Sequence, residues 1–141
     1  MQAITPYLTV KNAPQALDFY VKALGATENS RSPMDDGRIM HSCITINGGS
    51  IFVMDEFPEH AARNNEHGSV YAPTPDKPSP TAVVVAYGKP ADVDAAYRKA
   101  VEAGCKSVSQ PEDTFWNARF AVVGDPYGHL WMLNAELPAK N

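Results

Sequence analysis

Gly25 and Gly104 stand 79 positions apart, and the same succession of signals surrounds each of them. Before Gly25, Ile4 to Val10 alternates loosely and is rich in β-formers, which predicts a strand. Asn12-Ala-Pro14 supplies a capping side chain and a first-turn proline, and Leu17, Tyr20, Val21 and Leu24 follow at helical spacing, with Gly25 as the stop. A further strand is possible at Thr27 to Ser32. Ile39 to Ile46, Asn47-Gly-Gly49 and Ser50 to Asp55 then read as a hairpin. Before Gly104, Ala82 to Tyr87 is again a short strand, and Val93, Ala96, Tyr97, Ala100 and Val101 form a helical stripe behind Asp92-Val-Asp94. A second hairpin follows, so the chain is an internal duplication with units of roughly sixty to seventy residues. A unit that small cannot cover both faces of its own sheet, so the halves must share a core or borrow a partner's half.

Between the repeats, Phe57 to Pro80 has no sustained period, and Pro73, Pro75, Pro78 and Pro80 fall within its last eight residues, which marks a linker. The chain reads as a single domain over 1–141, with a first module over about 1–70, a linker over about 71–80 and a second module over about 81–137. No apolar run approaches the length of a membrane span, and Met-Gln-Ala-Ile-Thr-Pro lacks the features of a signal peptide, so a cytoplasmic address is expected. Net charge is -4 and the 12 Lys and Arg are scattered, which leaves no basic stripe for nucleic acid. Cys43 and Cys105 fit no C-x-x-C pattern and are expected to be reduced, mostly buried side chains.

The second hairpin consists of Phe120 to Val123 and Leu130 to Leu133 around Gly124-Asp-Pro-Tyr-Gly128. Phe115, Trp116 and Arg119 sit just before it. Two aromatics and a guanidinium can stack on and hydrogen-bond a planar or anionic ligand, and they can equally close the end of a core.

With this duplicated pattern the sequence resembles the vicinal oxygen chelate superfamily, the glyoxalase/bleomycin-resistance/dioxygenase group. More narrowly it is similar to the PhnB-like branch, often labelled 3-demethylubiquinone methyltransferase-like. Thr5-Pro-Tyr-Leu-Thr-Val10, Ala16-Leu-Asp-Phe-Tyr20 with Leu24-Gly25, Asp92-Val-Asp94 with Gly104, Phe115-Trp116, Arg119 and Asp125-Pro-Tyr-Gly-His-Leu-Trp131 carry the likeness over nearly the whole chain. One departure is Asn117, where the branch often has Gly. The resemblance implies an α+β fold in which two βαβββ modules form a glyoxalase-like half-barrel cup, paired in a homodimer. Metal-dependent relatives take one ligand from each of four strands. Carried over one at a time, those positions are Thr5, Phe52, approximately Ala82 and Met132, and none is an ordinary ligand. Neither Thr81 nor Val83 restores the site if the fifth strand slips by one.

The resemblance therefore implies a metal-free small-molecule binding protein without a cofactor, its ligand held in a cup lined by Tyr7, Phe52, Met54, Phe115, Trp116, Arg119 and Met132. The alternative is a lyase, isomerase or dioxygenase of the same superfamily, metal-dependent through other ligands or metal-free with His41 or Arg119 in the chemistry. A methyltransferase is disfavoured because no glycine-rich nucleotide loop follows a strand. Among the remaining residues, His41 and Cys43 share one strand face and read as packing rather than as a nucleophilic pair. His60 and His67, with Glu59 and Glu66, read as a solvated surface. Asp125 reads as the pin of its own turn, and His129 as hydrogen-bonded to loop backbone while near enough to the pocket strands to contact a ligand. Tyr7 and Thr9 share the face of Thr5.

Overall fold

The Asn12 side chain caps the first helix by accepting from the Gln15 amide at 3.2 Å, and Gly25, at φ 66°, ends it in the left-handed conformation. These two signals place helix α1 (Ala13–Leu24) between β1 (Tyr7–Val10) and β2 (Thr27–Pro33), followed by β3 (Ile39–Ile46) and β4 (Gly49–Asp55). After a short 3-10 helix, Pro58–Arg63, the second module repeats the order with β5 (Ala82–Ala86), α2 (Pro90–Ala103), β6 (Lys106–Asp113), β7 (Ala118–Gly124) and β8 (Leu130–Glu136). The coordinates are a computed structural model, which describes residues 2–63 and 71–139. His67 and Glu66 lie outside the described residues.

Each module folds its strands into one four-stranded sheet, in the orders β1-β4-β3-β2 and β5-β8-β7-β6. In both, the first strand pairs in parallel with the last, and the other pairings are antiparallel. The first strand was expected from Ile4 but begins at Tyr7: Pro6 has no N–H to donate, and Ile4 is 86% exposed. Strand β6 carries little apolar signal in Lys106-Ser-Val-Ser-Gln-Pro-Glu-Asp113, and it lies at a sheet edge, as the polar β2 does in the other module.

Alternation along each strand sends one set of side chains toward the helices and the other to the opposite face. Ile44, Ile46, Ile51 and Val53 of the first sheet, and Val85, Ala121, Val123, Trp131 and Leu133 of the second, join Leu17, Tyr20, Val93 and Ala100 of the helices in one core. Helices α1 and α2 pack on each other, so both modules share that core. Asp125 fastens it. Its Oδ1 accepts from the backbone N–H groups of Tyr127 at 2.8 Å and His129 at 3.0 Å, which is the turn-pinning read from the sequence. Its Oδ2 accepts from the hydroxyl of Tyr20 in α1 at 2.7 Å and from Trp131 Nε1 at 2.8 Å.

Further bonds cross the seam between the sheets. His129 Nε2 donates to the Thr9 carbonyl oxygen of β1 at 2.8 Å, and the Asn47 side-chain amide donates to the Ala86 carbonyl oxygen of β5. The linker passes directly over the final turn: a Cβ on Gly128, whose φ is 88°, would lie 2.7 Å from the Thr74 nitrogen. Cys43 and Cys105 are both free thiols, with Cys105 buried and Cys43 half-buried. Among the described residues no helix is long and apolar enough to cross a membrane.

Burial raises the Tyr20 hydroxyl well above its ordinary pKa, with the Asp125 carboxylate adding to the effect, and the same two causes push the Cys105 thiol up to about 12. Both groups are therefore neutral in the folded chain at a pH where the unfolded chain ionises them. Stability from this source is complete below the unfolded values of about 9 to 10 and is lost as pH rises through the folded ones. Urea unfolding should give a midpoint that is level up to about pH 9 and then falls. Tyr20→Phe should cost about 2 kcal/mol at neutral pH, the size of a hydrogen bond to a charged group, and should flatten the alkaline decline.

Candidate functional site

The faces turned away from the helices hold most of the candidate site residues. On the first sheet they present Tyr7, His41, Cys43, Phe52 and Met54, because these residues have the parity opposite to Ile44, Ile51 and Val53. Register brings them together, with Tyr7 beside Phe52 across the β1–β4 pair and Phe52 beside Cys43 across β4–β3. The rings of Tyr7, His41 and Phe52 meet edge to face: Tyr7–Phe52 at 5.6 Å between centroids, His41–Phe52 at 4.7 Å and Tyr7–His41 at 5.6 Å. Tyr7 Oη lies 3.0 Å from His41 Nδ1. Burial raises the Tyr7 pKa, so the phenol keeps its proton.

On the second sheet the same face holds Val84, Met132, Val122 and Phe120, with Met132 paired in register to Val84 on one side and to Val122 on the other. Trp116 lies at the β6–β7 turn with its ring 5.7 Å from Phe120, which brings it to this face, and Phe115 meets Trp116 at 4.9 Å. Trp116 is 53% exposed and Phe115 97% exposed, so neither closes the end of a core. Asn117, at φ 64°, takes the left-handed position that glycine would otherwise fill, and its amide group donates to the Leu137 carbonyl oxygen. Between the sheets a cleft of about 510 Å³ is lined by Ile4, Tyr7, Ala82, Val84 and His129 among others.

Arg119 is elsewhere. It pairs with Ala135, a core residue of β8, so its side chain leaves on the helix-covered side of β7. There its guanidinium donates to Asp94 of α2 at 2.9 Å and to Asp113 of β6 at 3.1 Å, which hold it charged. The expectation that Arg119 lines the cup with Trp116 is corrected: adjacent side chains on a strand point to opposite faces, and two carboxylates already claim this cation. His41, read from the sequence as strand packing or as a group in a metal-free chemistry, joins the ring cluster of Tyr7 and Phe52. Its place on the face of Cys43 was legible from spacing of two, but its contact with Tyr7 depends on the order β1-β4-β3, which no local pattern reports.

Of the positions to which the resemblance assigns metal ligands, Phe52 abuts Tyr7, Ala82 lines the seam cleft, and Met132 pairs with Val84. Thr5 precedes β1. A phenyl ring, a methyl group, a thioether and one hydroxyl offer no donor set for a divalent ion. Among the described residues no three of His, Cys, Asp and Glu lie so as to hold a metal.

A family model described as the Glyoxalase/Bleomycin resistance protein/Dioxygenase superfamily matches residues 3–133. The uncharacterized protein Mb0911c of Mycobacterium bovis is 37% identical over 139 residues, which are 99% of this chain and 86% of that protein. A PhnB protein from Bacillus cereus shares the fold at a TM-score of 0.66 with 20% identity, over 95% of this chain and 99% of that one. The fosfomycin resistance protein FosX from Listeria monocytogenes, solved with Mn(II) and sulfate, also has a TM-score of 0.66, with 15% identity over 96% of this chain and 93% of its own.

With Trp116 outside the core of its own chain, Trp116→Ala should lower the concentration-independent part of stability in urea unfolding by about 1 kcal/mol or less, against the ~3–5 kcal/mol that removal of a core Trp costs. A loss in the larger range would return Trp116 to the core.

Proposed function

We propose that this chain, which belongs to the glyoxalase/bleomycin resistance protein/dioxygenase superfamily, is a metal-free small-molecule binding protein whose ligand sits on the helix-free faces of the two sheets. The observation that supports the reading is that Thr5, Phe52, approximately Ala82 and Met132 stand where the resemblance implies metal ligands. Where relatives with a metal need oxygens or imidazoles, this chain has groups that pack on an apolar or aromatic ligand. Tyr7, Phe52, Met54, Trp116 and Met132 are its binding residues, with Phe115 at the rim. The protein acts in the cytoplasm without a cofactor.

The working form is a homodimer. Ile4, Tyr7, Val84, Phe115 and Trp116 are all large apolar side chains between 46% and 97% exposed, and exposed apolar groups of this kind support an interaction surface. A second copy would cover this surface and exclude water from the ligand.

Metal analysis of protein purified without chelator, followed by a thermal-shift screen of aromatic metabolites and antibiotics, tests the binding reading. Well under about 0.1 equivalent of any transition metal is expected, and a ligand at a hundred times its Kd should add about 2.7 kcal/mol of stability. One equivalent of metal, lost on mutating residues of the open faces, would contradict it.

Sedimentation should give a dimer at micromolar concentration, its mass twice the 15.3 kDa of the chain. A persistent monomer would contradict that part.

A further inference from the structure

Resting on the cup reading above, we propose that the Tyr7–His41 pair is the polar anchor of the cup and that it selects flat aromatic ligands bearing an acceptor oxygen, such as an aryl ketone or an aryl carboxylate. The argument is one of hydrogen counting. The Tyr7 phenol has a single hydrogen and two neighbours within reach, His41 Nδ1 at 3.0 Å and the Met40 carbonyl oxygen at 3.5 Å.

A neutral imidazole can meet the phenol in two ways: Nδ1 accepts the phenol hydrogen and the imidazole hydrogen sits on Nε2, or Nδ1–H donates and the phenol hydrogen turns to the Met40 carbonyl. The 3.0 Å contact, against 3.5 Å to Met40, favours the first, and the proposal rests on it. When the imidazole is charged, Nδ1–H donates to the phenol oxygen, and the phenol hydrogen turns to the Met40 carbonyl. In the first tautomer and in the charged form alike, Nε2 carries a hydrogen. Among the described residues Nε2 has no hydrogen-bond partner, and the parity of β3 turns His41 to the open face beside Phe52.

The pair is therefore a fixed donor set in a wall of rings, and a group that offers a lone pair satisfies it. A ligand whose only polar group is an ammonium offers Nε2–H no lone pair and leaves that donor unsatisfied. This donor replaces the guanidinium of Arg119, which Asp94 and Asp113 hold on the other face.

Three probes of one ring system test the proposal: 2-naphthoate, 2-acetonaphthone and naphthalene, titrated into the intact protein and into its His41→Phe and Tyr7→Phe variants. The native protein should bind the two oxygen-bearing probes at least about tenfold more tightly than naphthalene. The neutral ketone separates hydrogen-bond donation from simple attraction of an anion. His41→Phe should bring the ratio of oxygen-bearing to naphthalene affinity close to one, and Tyr7→Phe should lower that ratio by less.

Nitrogen-15 NMR of the native imidazole needs no variant. Nε2 should be the protonated nitrogen, and 2-naphthoate should shift it where naphthalene does not. A neutral imidazole protonated on Nδ1, equal affinity for all three probes, or an oxygen preference that survives in folded His41→Phe would overturn the anchor and leave the cup standing. If none of the three binds, the cup reading itself falls.

Discussion

The Asp125 carboxylate is the constraint on which the rest of the structure depends. Its two oxygens take four donors: two backbone N–H groups of its own turn, the Trp131 indole of β8, and the Tyr20 hydroxyl of α1 more than a hundred residues away in sequence. The last of these joins one repeat to the other. A carboxylate is acceptor-only, so four donors satisfy it fully, and at 4% exposure it has no capacity left for a ligand. Asp55 does a related task within the first module, accepting from the amides of Ala13 and Ile39, and so pins α1 to the start of β3.

That weld decides which surfaces stay open. Because the helices and the inward side chains of both sheets are bound into one core around Tyr20 and Trp131, the other sheet faces are the surface the repeats leave uncovered. A duplicated module with one helix per sheet has this outcome built in, since one helix covers one face. What stands on the uncovered face is then a matter of strand parity: Phe52, Met54 and Met132 are there because Val53 and Leu133 are not. The same parity takes Arg119 away from Trp116, although the two are three residues apart in sequence.

Much of this was legible in the residues. The helix stop at Gly25, the hairpin at Asn47-Gly-Gly49 and the helix before Gly104 are local signals, written in capping and turn chemistry, and the structure has them where the sequence put them. Strand β6 was not, because an edge strand can be polar throughout and still pair through its backbone. Nor was the Tyr20–Asp125 bond, since local spacing carries no record of which distant hydroxyl meets a buried carboxylate. In the site, apolar lining positions follow from alternation alone. The Tyr7–His41 contact and the engagement of Arg119 by Asp94 required the sheet order and the position of α2, which are tertiary facts.

The methionines offer the most direct measurement. Met54 and Met132 lie on the open face of the first and second sheet, whereas Met34 sits in the turn between β2 and β3. With carbon-13 labelled methionine methyl groups, titration of the intact protein with a flat aromatic ligand should move the Met54 and Met132 signals and leave Met34 in place. A ligand that binds but leaves both open-face methyls unmoved would contradict the assignment of these faces as the binding surface.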